Sequence, residues 1–332
     1  MTSKQRFLRV LDGEPVDRIP VFPLLMGFSA KQAGFDYRRF ASDGKALAYA
    51  QLLTKDRFNV DVITACSDAF RISADLGGDI IFEQNSPPHL SKPLVKTWQD
   101  FNALKRPDPN DKNTRMADRA LAVREMCGAA GGCAVMGWVD MPFAEACSLC
   151  GVTEFIMMMY DEPRLAHDIL TFLTGIVIDF AKAQMDAGTN LIGAGDAAAS
   201  LISREQYREF ALPYEQMVCE AIGGLNGMVK LHICGNTTHL IDDMIDTGAV
   251  LFNVDSSVDF EYAKLKYSSA GKAFKGNLDP VSLLTITPDE CRSACVDMIK
   301  NAGDCRYILS AGCEIPPGVS EEVFEAFCNS VI

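Results

Sequence analysis

Three consecutive stretches indicate the fold: Asn190-Leu-Ile-Gly-Ala-Gly-Asp196, an amphipathic segment at 203–222, and Met228-Val-Lys-Leu-His-Ile-Cys234. The two apolar runs are short and bounded by turn residues, which is typical of buried strands. Between them, Ser203 and Gln206 have the spacing of a capping box at the start of a helix. A strand, a helix and a second strand in this order predict two parallel strands joined by a crossover helix.

The same alternation recurs along the chain. Two further amphipathic segments, 162–187 and 287–302, are predicted helices. The candidate strands are 19–22, 60–63, 133–137, 190–193, 228–232, 250–254, 273–275 and 307–309. Strands and helices that alternate about eight times predict an α/β protein with a parallel sheet. A closed (β/α)8 barrel, the TIM barrel, is the leading architecture, and an open doubly wound sheet is the alternative.

The composition excludes several classes of protein. The protein has 332 residues, a net charge of −13 and 48% hydrophobic residues. This hydrophobic fraction is too high for a disordered protein. The acidic balance argues against nucleic acid or an anionic membrane as a partner. The N-terminus lacks the pattern of a signal peptide, and no apolar run approaches the ~18 residues of a membrane span. We therefore expect a cytoplasmic protein without a membrane segment.

One His and two Cys form the strongest candidate site. His232 and Cys234 end an apolar run, and side chains two positions apart point the same way in extended backbone. A second strand-like run, 307–311, leads into Cys313. Barrel enzymes build their sites at the carboxyl ends of the strands, where these side chains can converge as a His/Cys2 set for Zn2+. Three protein ligands leave a fourth position open for catalysis; the alternative is a core His with two buried thiols.

Polar side chains follow three other candidate strands. Asp196, Asp255 and Asn277 each lie where a barrel presents side chains to its ligand, so we predict them as catalytic-site residues. The alternative for each is a helix N-cap, a position that Asp and Asn favour.

The other ten of the twelve cysteines are interpreted as packing residues. Without secretion, disulfides are not expected, and reduced cysteines are among the most buried residue types. Cys147 and Cys150 have CxxC spacing but lie in a predicted short helix without a second pair, so packing is favoured for them as well.

The sequence resembles the uroporphyrinogen decarboxylase superfamily over nearly its whole length. The resemblance rests on Leu8-Arg-Val-Leu-Asp-Gly-Glu-Pro-Val-Asp-Arg-Ile-Pro-Val21 near the start and Gly276-Asn-Leu-Asp-Pro280 near the end. Between them, Gly137, Pro142-Phe-x-x-Ala146 and the stretch 151–167 fit the middle of the family. The resemblance implies one domain over 1–332, a TIM barrel with an N-terminal helical extension.

Within that superfamily, the chain is similar to the corrinoid-dependent, methylcobamide:coenzyme M type of methyltransferase. The loop 22–34 has one Lys and no Arg, whereas the decarboxylases carry an Arg-rich loop there. His232, Cys234 and the Cys313 of Gly312-Cys-Glu-Ile-Pro-Pro317 correspond to the zinc ligands of the methyltransferases. The resemblance implies Zn2+, methylcobamide carried by a separate corrinoid protein, and a small-molecule thiol acceptor such as coenzyme M or homocysteine.

Three alternatives stay open at this point. The first is a uroporphyrinogen decarboxylase, which would need cations such as Arg18, Lys31, Arg38 and Arg39 to bind several carboxylates. The second is methyl transfer to a pterin acceptor, tetrahydrofolate, which does not need a zinc-activated thiol. The third is a non-catalytic corrinoid- or haem-binding protein with the same barrel.

Overall fold

Helices and strands alternate along residues 1–331, the part of the chain that a computed structural model describes. The helices are α1 (Ser3–Asp12), α2 (Gly27–Gln32), α3 (Tyr37–Ser42), α4 (Gly44–Phe58), α5 (Arg71–Asp75), α6 (Trp98–Ala103), α7 (Arg115–Ala129), α8 (Pro142–Cys150), α9 (Val152–Asp161), α10 (Pro163–Asp186), α11 (Arg204–Phe210), α12 (Leu212–Gly224), α13 (Ile241–Ile245), α14 (Phe260–Ser269), α15 (Pro288–Ala302) and α16 (Glu321–Asn329). The strands are β1 (Val62–Thr64), β2 (Ile80–Ile81), β3 (His89–Leu90), β4 (Ala134–Asp140), β5 (Leu191–Gly195), β6 (Met228–His232), β7 (Leu251–Asn253), β8 (Ala273–Lys275) and β9 (Tyr307–Ile308). Two 3-10 helices lie at Ala197–Leu201 and Ser282–Leu284.

Seven of the strands form one parallel sheet in the order β1-β4-β5-β6-β7-β8-β9. Every neighbouring pair in it is parallel, and helices connect successive strands. β2 and β3 pair separately as an antiparallel hairpin. The predicted α/β class with a parallel sheet is therefore confirmed.

The segment 20–24 connects the two edges of the sheet. The N–H of Phe22 donates to the carbonyl of Leu309 beside β9 (2.9 Å), and the N–H of Leu309 donates to the carbonyl of Pro20 (2.9 Å). On the other side, the N–H of Asp61, just before β1, donates to the carbonyl of Val21 (2.9 Å). The predicted strand at 19–22 is thus a set of isolated parallel bridges, and the curled sheet is TIM-barrel-like.

An apolar layer fills the amino-terminal end of the curled sheet. α1 covers this layer with the side chains of Phe7, Val10 and Leu11. The inward residues of the layer are Phe22, Val62, Ala134, Met136, Leu191, Leu251, Ala273 and Ile308. Because this end is closed by packed side chains, a ligand site is left for the opposite, carboxyl end of the strands. The N-terminal helical extension stays a prediction.

The predicted helices form with one interruption. α10 and α15 correspond to the predicted segments 162–187 and 287–302. The predicted helix 203–222 is divided at Ala211 into α11 and α12. Pro213, in the first turn of α12, has no N–H to donate to the preceding turn, which explains the break.

None of the helices within residues 1–331 is by itself long and apolar enough to cross a membrane. Taken together, α8 and α9 reach that length and composition, but their axes are bent by 104° to each other.

Candidate metal centre

His232, Cys234 and Cys313 lie together at the carboxyl end of the sheet. His232 is the last residue of β6, Cys234 follows it by two positions, and Cys313 lies in the loop after β9. One ligand atom from each of the three residues lies within 4.8 Å of the other two. The structure therefore brings together the three residues that the sequence spacing singled out.

The donor atoms of this cluster fit a zinc ion. The Sγ of Cys234 lies 3.1 Å from the Nε2 of His232 and 3.8 Å from the Sγ of Cys313. The other ring nitrogen of His232, Nδ1, lies 3.3 Å from the carbonyl oxygen of Asn253. A backbone carbonyl at Nδ1 favours the tautomer in which Nε2 is free to bind a metal. One imidazole and two thiols match zinc, and a fourth ligand position remains.

Asn253, at the end of β7, orients His232 and the loop that carries Cys313. Its carbonyl contacts the imidazole of His232, and its side-chain Nδ2 donates to the carbonyl of Gly312 (2.9 Å). Gly312 also packs against the backbone of the next loop, where a Cβ at position 312 would lie 2.4 Å from the nitrogen of Ser256. These contacts of Gly312 fix the backbone position of the adjacent Cys313. Sequence reasoning missed Asn253, although an Asn within a buried apolar strand is itself an unusual signal.

The two thiols affect each other's ionisation. The hydrogen bond with Cys234 lowers the pKa of Cys313, and the nearby imidazole of His232 adds to this effect. The same contact with Cys313 raises the pKa of Cys234, together with burial. One thiol of the pair therefore ionises readily, and a cation is needed to favour ionisation of both.

Asp255 and Asn277 lie beside the cluster. Burial raises the pKa of the Asp255 carboxyl, but the N–H groups of Gly235 and Ser257 outweigh that effect, and the pKa is lowered. The Nδ2 of Asn277 donates to the carbonyls of Asp255 (3.1 Å) and Val258 (2.7 Å). Asn277 therefore fixes the loop that follows β7, and Asp255 stays ionised next to His232. Their catalytic roles stay predictions.

The N–H of Asp196 donates to the carbonyl of His232 (2.8 Å), but the Asp196 side chain lies on the side of β5 that faces the helices outside the sheet. This side chain is fully buried, and neither carboxyl oxygen has a hydrogen-bond partner among residues 1–331; the charge of Glu215 on α12 raises the pKa of this carboxyl. Tyr207 donates its hydroxyl hydrogen to Glu215. Burial raises the pKa of Asp196, and it raises the pKa of Glu215 to about 7. The charge of Glu215 adds to the effect of burial on Asp196, so the protonated form of Asp196 is favoured. The predicted catalytic role of Asp196 stays a prediction.

The Asp196–Glu215 pair is expected to make stability depend on pH. The pKa of Glu215 is higher in the folded protein, at about 7, than its ordinary value of 4.5. The folded state therefore binds more protons between these values, and the free energy of unfolding falls as the pH rises through this window. We expect Glu215→Gln to reduce that slope by up to about 1.4 kcal/mol per pH unit. Thermal unfolding between pH 5 and pH 8 measures it.

The exposed Glu209, on the neighbouring α11, provides the control. Glu209→Gln should leave the slope of stability against pH as it is in the wild type. A Glu215→Gln protein with the wild-type slope would contradict the raised pKa of Glu215.

Sequence reasoning also missed a buried ion pair at the same end of the sheet. Arg71, the first residue of α5, pairs with Asp140, the last residue of β4. Burial raises the pKa of Asp140 to about 6, and the guanidinium of Arg71 opposes this effect. Cys66 lies close by, with its Sγ 3.3 Å from the Sδ of Met26. The strand-end position of Asp140 was a usable signal, whereas Arg71 within a helix gave none.

All twelve cysteines are free thiols. Of the ten interpreted as packing residues, eight are buried, and Cys127 and Cys305 are half-buried. Cys147 and Cys150 are both buried in α8. Their burial agrees with packing, and within the described residues the His232, Cys234 and Cys313 group is the one that has metal-ligand spacing.

The sequence profile described as Uroporphyrinogen decarboxylase (URO-D) matches residues 2–332. The chain belongs to the uroporphyrinogen decarboxylase family. Among curated relatives, the uroporphyrinogen decarboxylase of Hydrogenovibrio crunogenus is 25% identical, over 99% of this chain and 96% of the relative. The uroporphyrinogen decarboxylase of Cellvibrio japonicus is 27% identical over the same shares, 99% and 96%.

Among solved structures, a methyltransferase from Methanosarcina mazei is similar to this chain, with a TM-score of 0.89 and 22% sequence identity. The likeness covers 99% of this chain and 98% of the other. A B12-independent methionine synthase from Shewanella sp. W3-18-1 is similar with a TM-score of 0.60 and 14% identity, over 86% of this chain and 84% of the other. At these identities, the likenesses establish a shared fold.

Proposed function

We propose that this family member is a zinc-dependent methyltransferase that moves a methyl group from a methylated corrinoid to a thiol such as coenzyme M or homocysteine. The observation that carries the proposal is the cluster of His232, Cys234 and Cys313 at the carboxyl end of the strands, with donor atoms within 4.8 Å. The fold likeness to a methyltransferase supports the reaction class. Methylcobamide would be presented by a separate corrinoid protein.

In this proposal, His232, Cys234 and Cys313 are metal ligands and not nucleophiles. When bound there, a zinc ion supplies a Lewis acid that favours the ionised form of a coordinated thiol. Asn253 keeps the imidazole of His232 oriented through its carbonyl and holds the Cys313 loop through Gly312. The set of three protein donors leaves one position for the sulfur of the acceptor.

Uroporphyrinogen decarboxylation is the second candidate, because the curated relatives carry that name. It would need cations free to bind several carboxylates. Arg18 is instead paired with the buried Asp61, and Lys31 donates to a backbone carbonyl (2.9 Å). Arg39 lies over the ring of Phe35 at 4.0 Å. Of the four cations, Arg18 is thus held by a buried carboxylate, whereas Lys31, Arg38 and Arg39 are exposed. An assay with uroporphyrinogen that yields no decarboxylated porphyrin would exclude the second candidate.

The first test of the proposal is metal content together with metal removal. We expect the purified protein to hold about one zinc ion per chain and to demethylate methylcobalamin when a thiol is supplied. A chelator should abolish the activity, and added Zn2+ should restore it. Absorbance of the corrinoid and metal analysis are the two measurements.

Replacing the thiol with tetrahydrofolate tests the acceptor. Methyl transfer to tetrahydrofolate by a zinc-free protein would overturn the proposal that the acceptor is a thiol and would favour tetrahydrofolate as the acceptor. A protein that binds zinc but transfers a methyl group to neither acceptor would overturn the methyltransferase proposal altogether.

A further inference from the structure

Asp140 lies in the same row of the sheet as the metal ligand His232. In the register of the parallel strands, Gly195 pairs with Asp140 of β4 on one side and with His232 of β6 on the other. Residues that pair in this way project to the same face of a sheet. Two strand spacings separate Asp140 from His232, roughly 10 Å between their Cα atoms. The carboxyl of Asp140 and the metal cluster therefore face one interior space.

Gly195 leaves the space between these two side chains open. A Cβ at position 195 would lie 3.0 Å from Oδ1 of Asp140 and 3.8 Å from the indole nitrogen of Trp138. The carboxyl of Asp140 thus leans over the glycine, towards the strand that carries His232. A larger residue at position 195 would fill the place between the carboxyl and the cluster.

The Arg71–Asp140 ion pair presents its negative member to this space. The Nη2 of Arg71 donates to Oδ2 of Asp140. The side chain of Arg71 has no exposed surface, whereas that of Asp140 is 11% exposed. A carboxylate oxygen accepts more than one hydrogen bond, so Oδ1 has room for a further donor. A ligand that enters the interior therefore meets the carboxylate of this pair and not the guanidinium.

The two lysines of the interior are enclosed in the same way. Lys230 is 1% exposed, and its Nζ lies under the ring of Trp138, 4.5 Å from the ring centre. Lys275 has no exposed surface, and its Nζ donates to the carbonyl of Phe22 (2.7 Å). Asp255, in contrast, is partly exposed beside His232. Of the charged groups Arg71, Lys230, Lys275, Asp140 and Asp255, the two that a ligand can reach are the carboxylates.

We propose that Asp140 selects an acceptor thiol that carries a positively charged nitrogen, an amino thiol of the homocysteine class. The inference rests on the proposed function, because the sulfur of the acceptor would occupy the open position of the metal cluster. A nitrogen two or three carbons from that sulfur can then reach Oδ1 of Asp140 across Gly195. The sulfonate of coenzyme M in the same place would face a carboxylate, and like charges repel. Arg71 holds the carboxylate in position and does not touch the acceptor.

Three two-carbon thiols test the inference. Cysteamine, 2-mercaptoethanol and 2-mercaptoethanesulfonate (coenzyme M) end in a positive, a neutral and a negative group at pH 7. In protein loaded with Co2+ in place of Zn2+, the added sulfur-to-cobalt absorbance gives the dissociation constant of each thiol without any methyl donor. We expect the wild type to bind cysteamine at least about tenfold more tightly than 2-mercaptoethanesulfonate. Because the free thiols differ in acidity, the change in this ratio between variants is the decisive comparison.

The ratio should change when the charge of Asp140 is removed. Asp140→Asn leaves the buried Arg71 unpaired, which destabilises the fold, so it is made alone and together with Arg71→Met. In the double variant, the preference for cysteamine should fall at least about tenfold below that of the wild type.

Asp68→Asn is the matched control. The carboxyl of Asp68 is also paired with an arginine, Arg115, but it has no exposed surface. This variant should keep the wild-type ratio to within about threefold, because the charge that it removes is enclosed. An equal change of the ratio in Asp68→Asn and in the Asp140 variants would overturn the inference.

A second pair of probes needs no variant. Homocysteine and 4-mercaptobutyrate differ in the amino group, and the wild type should bind homocysteine at least about tenfold more tightly. Equal affinity for these two thiols, or an unchanged ratio in variants of Asp140 that fold, would overturn the selection by Asp140.

The outcome is separable from that of the proposed function. If the wild type binds amino thiols tightly but methylates none of them, the proposed reaction fails while the selection by Asp140 stands. If 2-mercaptoethanesulfonate binds more tightly than cysteamine and is methylated, the reaction stands and the selection fails. A protein that binds none of these thiols would overturn both.

Discussion

Cys313→Ala is expected to lose its zinc and its thiol-dependent methyl transfer. The cluster has three protein donors, and removal of one leaves two, His232 and Cys234, which is too few for a stable site. The loss of activity should exceed about 100-fold, since even outer partners of metal ligands cost about 10–100-fold. Metal analysis and demethylation of methylcobalamin measure the two effects.

Cys66→Ala is the matched control for this variant. Cys66 is a buried thiol of the same interior, but it contacts the sulfur of Met26 (3.3 Å) and lies outside the ligand group. The Cys66→Ala protein should keep about one zinc ion per chain. Full activity and full zinc content in Cys313→Ala would contradict the central proposal, whereas zinc loss in both variants would point to a general failure of folding.

The proximity of His232, Cys234 and Cys313 was predictable because it depends on simple periodicities. His232 and Cys234 share a face in extended backbone, and Cys313 follows another strand at the same end of a parallel sheet. The supporting contacts were not predictable. Whether Asn253 reaches Gly312, or Trp138 reaches across to a lysine, depends on strand register and on which neighbour lacks a side chain.

Asp196 illustrates the limit of strand-end reasoning. A Cβ at Gly193 or Gly195 would meet Trp138 or Asp140 in the interior, so the odd-numbered residues of β5 face inward. Asp196 has the opposite parity and turns to Glu215 and the helices. Position at a strand end therefore has to be combined with parity. Asp255, two residues after β7 ends at Asn253, has the parity of Asn253, which pairs with His232.

Asp61→Asn is expected to be the most destabilising change at the amino-terminal end of the sheet. The buried carboxylate accepts hydrogen bonds from Arg6 (2.6 Å), from Arg18 (2.7 Å) and from the N–H of Val21 (2.8 Å). It joins α1 to the segment that connects the two edges of the sheet. Loss of this charge leaves two guanidinium groups facing a neutral amide, which should cost about 3–5 kcal/mol of unfolding free energy.

Asp17→Asn is the control for Asp61→Asn, because Asp17 also pairs with Arg6 but its side chain is 43% exposed. An exposed pair contributes about 0–1 kcal/mol, so Asp17→Asn should stay within that range. Urea unfolding of both variants measures the difference. Equal losses would show that burial does not determine the effect. A large loss at Asp61 alone would assign its partner Arg18, which belongs to the N-terminal stretch that carries the family resemblance, to closure of the sheet and not to the chemistry at its other end.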